Sequence, residues 1–189
     1  MPPCLSRVCL PPCLIESNNI EYSMGKLKVY HVTWPTHNSR VSERMQQYKV
    51  KTGEPVWLDK EAEYRITMYF SEVIKKYNIS CLAYNICGDH VYMLIVSKEE
   101  ELPAVVRTLK SISARKYNIS IGVTKVNKGS AQKVNHLWAR KYNSTLIADK
   151  NQLQGIMEYI EQNRDKHGLP PLDMKVTDTI KDMTCSFIP

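Results

Sequence analysis

Two runs rich in Ile, Val, Leu and Tyr, Ile79 to Cys87 and His90 to Val96, are separated by Gly88-Asp89 alone. A link this short joins only antiparallel strands, because a parallel partner needs a crossover of a dozen or more residues. The chain therefore contains a β-hairpin, and its other segments have to cover a sheet. From Asp59 to Tyr77, Ala62, Ile66, Tyr69, Phe70, Val73 and Ile74 recur at spacings of three and four, which predicts a helix with Asp59 as its N-cap. Leu102 to Tyr117 puts Leu102, Val105, Val106, Leu109 and Ile112 on one face of a second helix. Lys26 to Trp34 reads as a strand ahead of these, and Leu137 to Ile147 as a fourth, after a connection from Ile119 to Gln132. Asn151 to Lys166 is the last clear helix, stopped by Gly168 and Pro170-Pro171. The order β-α-β-β-α-β-α predicts an α+β fold. Its sheet would be ferredoxin-like (RRM-like) and antiparallel, with helices on one face and an extra C-terminal helix.

At 189 residues the chain has room for one domain. Residues 24–172 carry all the periodic segments. Residues 1–23, with two Pro-Pro pairs and Cys4, Cys9 and Cys13, read as a disordered leader, and residues 173–189 as a tail. The leader lacks a basic segment followed by an unbroken apolar one, and no apolar run approaches the roughly 20 residues that cross a bilayer. The expectation is a cytoplasmic protein. Its six cysteines, without a paired Cys-x-x-Cys, are expected reduced and unligated.

The formal charge is +7, and it is unevenly distributed. Between Leu102 and Ala148 stand Arg107, Lys110, Arg115, Lys116, Lys125, Lys128, Lys133, Arg140 and Lys141, with no Asp or Glu. Arg107, Lys110, Ser111 and Arg115 share a polar stripe on the second predicted helix. A basic stripe alone is ordinarily a solvated face. A long stretch without acids can instead displace counterions from a phosphate backbone, and it predicts nucleic-acid binding through Arg107, Lys110, Arg115, Lys116, Arg140 and Lys141.

Two places could carry chemistry. His90 and Tyr92 alternate along a strand and therefore share a face. Tyr159 and Asn163 are four apart on a helix and stack on one side. Taken singly, a strand His is a hydrogen-bonded structural residue, a strand Tyr is packing, and Tyr159 is an amphipathic boundary residue.

Their conjunction is more specific. The strand Gly88-Asp89-His90-Val91-Tyr92, the basic helix, His136-Leu137-Trp138, and Tyr159-Ile160-Glu161-Gln162-Asn163 running to Gly168-Leu169 follow one another in a set order. Over roughly Lys26 to Pro171 the chain resembles the REP-associated tyrosine transposases and related single-tyrosine, IS200-like insertion-sequence transposases of the HUH endonuclease superfamily. The resemblance implies that Tyr159 is a nucleophile and that His90 and Asn163 hold Mg²⁺ or Mn²⁺. It further implies that single-stranded or hairpin DNA is cut and rejoined through a 5′-phosphotyrosine intermediate, as in DNA transposition. It leaves open a homodimer, and it implies that the cytoplasmic protein is nucleoid-associated when bound to DNA.

The chain departs from the family pattern twice. Tyr92 stands where the second metal histidine is found, and Arg164 where a proline is usual. A phenol, with its reference pKa near 10, is a weaker ligand than imidazole, so metal binding is expected to be weakened, rescued by Asp89, or lost. Arg164 is expected merely to let the helix run on. The alternative to catalysis is a DNA-binding remnant of such a transposase, impaired by Tyr92. A similarly folded RNA-binding sheet would need base-stacking aromatics on its strands, and no Lys/Arg-Gly-Phe/Tyr cluster is present.

Overall fold

Buried on both faces, the strand His90–Ser97 can be apolar along nearly its whole length, and six of its first six residues are inaccessible. In the computed structural model, which describes residues 27–41, 43–51, 53–123 and 136–184, this strand is β3. It pairs antiparallel with β2 (Ser80–Cys87) across the Gly88-Asp89 turn and with β1 (Lys28–Pro35) on its other side. The edge strand β4 (Asn143–Leu146) pairs antiparallel with β1, giving the order β2-β3-β1-β4. This is the split β-α-β arrangement that the sequence predicts.

Strand alternation separates two apolar layers. Tyr30, Val32 and Trp34 of β1 join Val91, Met93 and Ile95 of β3 on one face. Against them pack Ile66, Phe70 and Val73 of α2 (Lys60–Lys76) and Val106 and Leu109 of α3 (Leu102–Ser120). The opposite face carries Val29, Tyr92 and Leu94 and is covered by Leu153 and Ile160 of α4 (Lys150–Glu161). The chain thus brings the tyrosine helix to the face that Tyr92 occupies. Both α2 and α4 start at an aspartate cap, Asp59 accepting from the Ala62 N–H and Asp149 from the Gln152 N–H, each at 2.8 Å.

The structure corrects the sequence expectations in four places. A short helix, α1 (Glu43–Gln47), lies between β1 and α2 without a buried residue, so no amphipathic signal marks it. Only the last part of Leu137 to Ile147 is a strand. The Lys110 ammonium accounts for the difference, donating to the carbonyls of Ala139, Arg140 and Lys141 at 2.8, 3.1 and 3.2 Å. Successive carbonyls of a strand point in alternate directions, so three converging on one ammonium require a bent chain.

The last helix does not run on through Arg164. It ends at Glu161, and a separate turn, α5 (Asn163–Lys166), follows Gln162. The Asn85 side chain donates to the Ile160 carbonyl at 2.5 Å, taking the acceptor that the Arg164 N–H would use in an unbroken helix. Finally, where residues 173–189 read as a tail, α6 (Met174–Met183) forms behind an Asp173 cap and packs on α2, burying Val176 and Met183. The leader 1–23, Lys125, Lys128, Lys133 and Cys185 lie outside the described residues.

Candidate active site

His90 opens β3 and is 4% exposed. Its Nδ1 faces the Asp89 carboxylate in a short hydrogen bond, and the Arg40 guanidinium lies 3.5 Å from the same nitrogen. Arg40 also pairs with Asp89 at 3.4 Å. Hydrogen bonding to His90 holds the Asp89 carboxyl below its usual range, against the opposing effect of burial. A carboxylate can only accept, so Nδ1 carries the hydrogen, and Nε2 faces inward. Asn163 Oδ1 lies 3.3 Å from that Nε2 and receives the Cys87 thiol hydrogen at 3.2 Å. Burial pushes the Cys87 thiol up to about 12, so it stays a neutral donor.

Tyr92 shares this face. Its ring is edge-on to His90 at 4.6 Å between centroids, and its hydroxyl meets the Tyr159 hydroxyl at 3.2 Å. Burial, reinforced by Tyr159, drives the Tyr92 phenol well above its ordinary value. Tyr92 therefore keeps its proton and can donate it toward the Tyr159 oxygen. The Lys166 ammonium lies 4.6 Å over the Tyr159 ring, and His31 of β1 stacks on Tyr92 at 5.8 Å. His90, Tyr92, Tyr159 and Asn163, drawn from β3, α4 and α5, thus converge on one spot. Asp89 lies behind His90, on its Nδ1 side. Among the described residues no three His, Cys, Asp or Glu side chains gather as a metal cluster.

Sequence reasoning missed Arg40, Lys166 and His31. Lys166 is seven residues from Tyr159, a spacing of two helical turns that could have flagged it. Arg40 comes from a loop without periodicity, and only the fold brings it to Asp89. The largest miss is Arg164, which is 6% exposed and pairs with buried Glu63 of α2 at 3.0 and 3.1 Å. Arg164 also donates to the carbonyls of Ile86 at 2.6 Å and Pro170 at 3.0 Å. It ties the turn that bears Asn163 to β2, to α2 and to the segment that follows.

The basic residues divide into two groups. Lys110 is committed to the three carbonyls named above, and burial lowers its amine to about 8. Lys116 pairs with Glu72 and lies over the Tyr69 ring at 5.5 Å. Arg107, Arg115, Arg140 and Lys141 are exposed. Arg107 and Arg140 line a cleft of about 500 Å³ between α3 and the 136–142 segment, with His136, Trp138 and Tyr142. Replacing Arg107 and Arg115 together by Ala is expected to flatten the log–log salt dependence of single-stranded DNA binding by about 1.4, at roughly 0.7 per lost phosphate contact. An unchanged slope in salt titrations would show that both residues only face solvent.

Residues 26–163 match the family described as IS200-like transposase. No curated protein matches the chain. Among solved structures, a REP-associated tyrosine transposase bound to a REP hairpin is 14% identical, with 79% of this chain and 75% of that one covered and a TM-score of 0.49. A Deinococcus radiodurans R1 protein assigned as a transposase is 18% identical, with 75% of this chain and 95% of that one covered and a TM-score of 0.45. Among the described residues no helix is long and apolar enough to cross a membrane.

Proposed function

Because the chain belongs to the IS200-like transposase family, we propose that it cuts and rejoins single-stranded DNA with Tyr159 as the nucleophile. The observation that carries this reading is the meeting of the Tyr159 and Tyr92 hydroxyls at 3.2 Å beside His90 and Asn163. In the reaction the Tyr159 oxygen attacks a backbone phosphorus and loses its proton. The P–O3′ bond breaks, and the departing oxygen takes up a proton to become a free 3′-hydroxyl. The 5′-phosphate stays on Tyr159, and a second 3′-hydroxyl displaces the tyrosine to rejoin the strand. The Tyr92 hydroxyl can donate to the Tyr159 oxygen as that oxygen loses its proton, and the Lys166 charge above the ring favours negative charge on it.

The residues present fit a divalent ion in part. His90 Nε2 and Asn163 Oδ1 lie 3.3 Å apart and would both present lone pairs to an ion, with Asp89 fixing the imidazole from behind. Mg²⁺ and Mn²⁺ tolerate so small a protein set, because water and phosphate oxygens fill the other positions. Bound there, the ion would polarise the scissile phosphate and offset its developing charge. Tyr92, which keeps its proton and points at Tyr159, is not counted among the ligands.

The test is to incubate the protein with Mn²⁺ and a hairpin-bearing single-stranded oligonucleotide and look for an adduct that survives denaturation. DNA binding without any adduct would overturn catalysis in favour of the impaired DNA-binding remnant. A second result is expected from Tyr92→His. It places a second imidazole on the His90 face and should tighten Mn²⁺ binding by roughly tenfold or more, at least the scale of an outer-shell change. Asn163→Ala in that background should reverse much of the gain. Calorimetric titration with Mn²⁺ reads both, and unchanged affinity in Tyr92→His would place the metal elsewhere.

A further inference from the structure

We propose that Trp57 is a stacking platform for an unpaired base of the DNA strand that enters the active site. The proposal rests on the single-stranded DNA reading above and assigns one residue that binds the strand beside the scissile phosphate.

Trp57 is 64% exposed, which is unusual for so large an apolar side chain. Its inner face lies flat on Gly88, where a Cβ would come within 2.3 Å of the indole. Only glycine admits so close an approach, and Gly88 is the turn residue immediately before Asp89 and His90. The backbone around the indole is anchored on both sides. Thr36 Oγ1 donates to the Val56 carbonyl at 2.6 Å, the Val56 N–H to the His37 carbonyl at 2.9 Å, and the Leu58 N–H to the Gly88 carbonyl at 2.7 Å. Leu58 is itself buried in the core at 2% exposure. One face of the ring is therefore fixed against the turn that leads into the catalytic strand, and the other is open to solvent.

The surroundings suit a polyanion. The segment joining β1 to α2 exposes Arg40, Arg44, Lys49 and Lys51 against the acids Glu43, Glu54 and Asp59. Arg40 reaches from that segment to Asp89 and to His90 Nδ1, which joins the segment to the site. A rigid aromatic on a segment of net positive charge is how single strands are held without base pairing, since every base has a π-face. A duplex offers no such face, because its bases are stacked on one another.

The chain carries its own reporter for this contact. Of its three tryptophans, Trp34 is 0% exposed, Trp138 is 7% exposed in the wall of the α3 cleft, and Trp57 at 64% is by far the most accessible. Titrating the full chain with a short oligodeoxythymidylate in the presence of a chelator, to prevent cleavage, should quench its emission. Trp57→Phe should remove most of the quench, leaving at most the contribution of Trp138, and keep the affinity within about threefold, because a ring remains. Trp57→Ala should weaken binding about 5- to 150-fold, the equivalent of one lost stacked base. An undiminished quench in Trp57→Phe, an affinity unchanged in Trp57→Ala, or equal quenching by a duplex would overturn the proposal. Failure of the unaltered protein to bind the oligonucleotide at all would instead overturn the single-stranded DNA reading on which it rests.

Discussion

Tyr159→Phe is expected to lose DNA cleavage and the covalent adduct together, by on the order of 10⁴-fold or more, while retaining affinity for the same DNA. The substitution removes one oxygen, and that oxygen is the atom that bonds to phosphorus. Nothing that contacts DNA through charge is altered. The change also strips the Tyr92 hydroxyl of its partner at 3.2 Å, so a loss of about 1 kcal/mol in stability should accompany it. Gel-shift affinity, adduct yield and thermal melting measured on one preparation separate the three effects. Residual cleavage near the starting rate would remove Tyr159 from the mechanism. Parallel loss of binding and cleavage would make it a structural residue.

The second large effect is expected at Arg164, far from any reacting atom. Arg164→Met should destabilise the fold by about 3–5 kcal/mol, because it leaves the Glu63 carboxylate buried without its partner and two carbonyls without a donor. The loss should depend on pH in a defined direction. Burial already raises the Glu63 pKa, with the Arg164 hydrogen bond and charge opposing the rise, so removing Arg164 raises it further. A carboxyl whose folded pKa lies above its unfolded one favours the fold below the unfolded value and loses that contribution as pH climbs through the folded value. Arg164→Met should therefore be least impaired in acid and progressively worse toward neutral pH. Glu63→Gln in the same background should remove the pH dependence and recover part of the stability. Denaturant melts of the two variants at pH 5 and pH 8 read this directly, and a pH-independent loss would show that Glu63 is not the group left uncompensated. Since Arg164 anchors the turn bearing Asn163, weakened Mn²⁺ binding is expected alongside.

What was legible in the sequence was whatever repeats locally. The Gly88-Asp89 hairpin, the α2 and α3 faces and the Asp59 cap all depend on neighbours a few residues apart, and the periods of helix and strand write them into the order of residue types; Tyr159 and Asn163, read as one helical face, lie instead on α4 and α5. The order of these elements then left few antiparallel topologies, and the strand order β2-β3-β1-β4 is the one that results.

Tertiary structure decided which charged groups are available and which are consumed. Lys110 and Arg115 look alike on a helical wheel, yet the Lys110 ammonium is tied to three carbonyls about thirty residues away and Arg115 stands in solvent. Arg164 read as a harmless change on a helix surface because its partner Glu63 lies 101 residues earlier, and an ion pair at that separation has no periodicity to announce it. Arg40 reaches Asp89 only because the loop after β1 folds over the hairpin turn, and Trp57 lies on Gly88 for the same reason. Hydrogen-bonding and charge partners are chosen by proximity in space, in an interior where an unpaired polar group is costly, so they are settled only when the layers close.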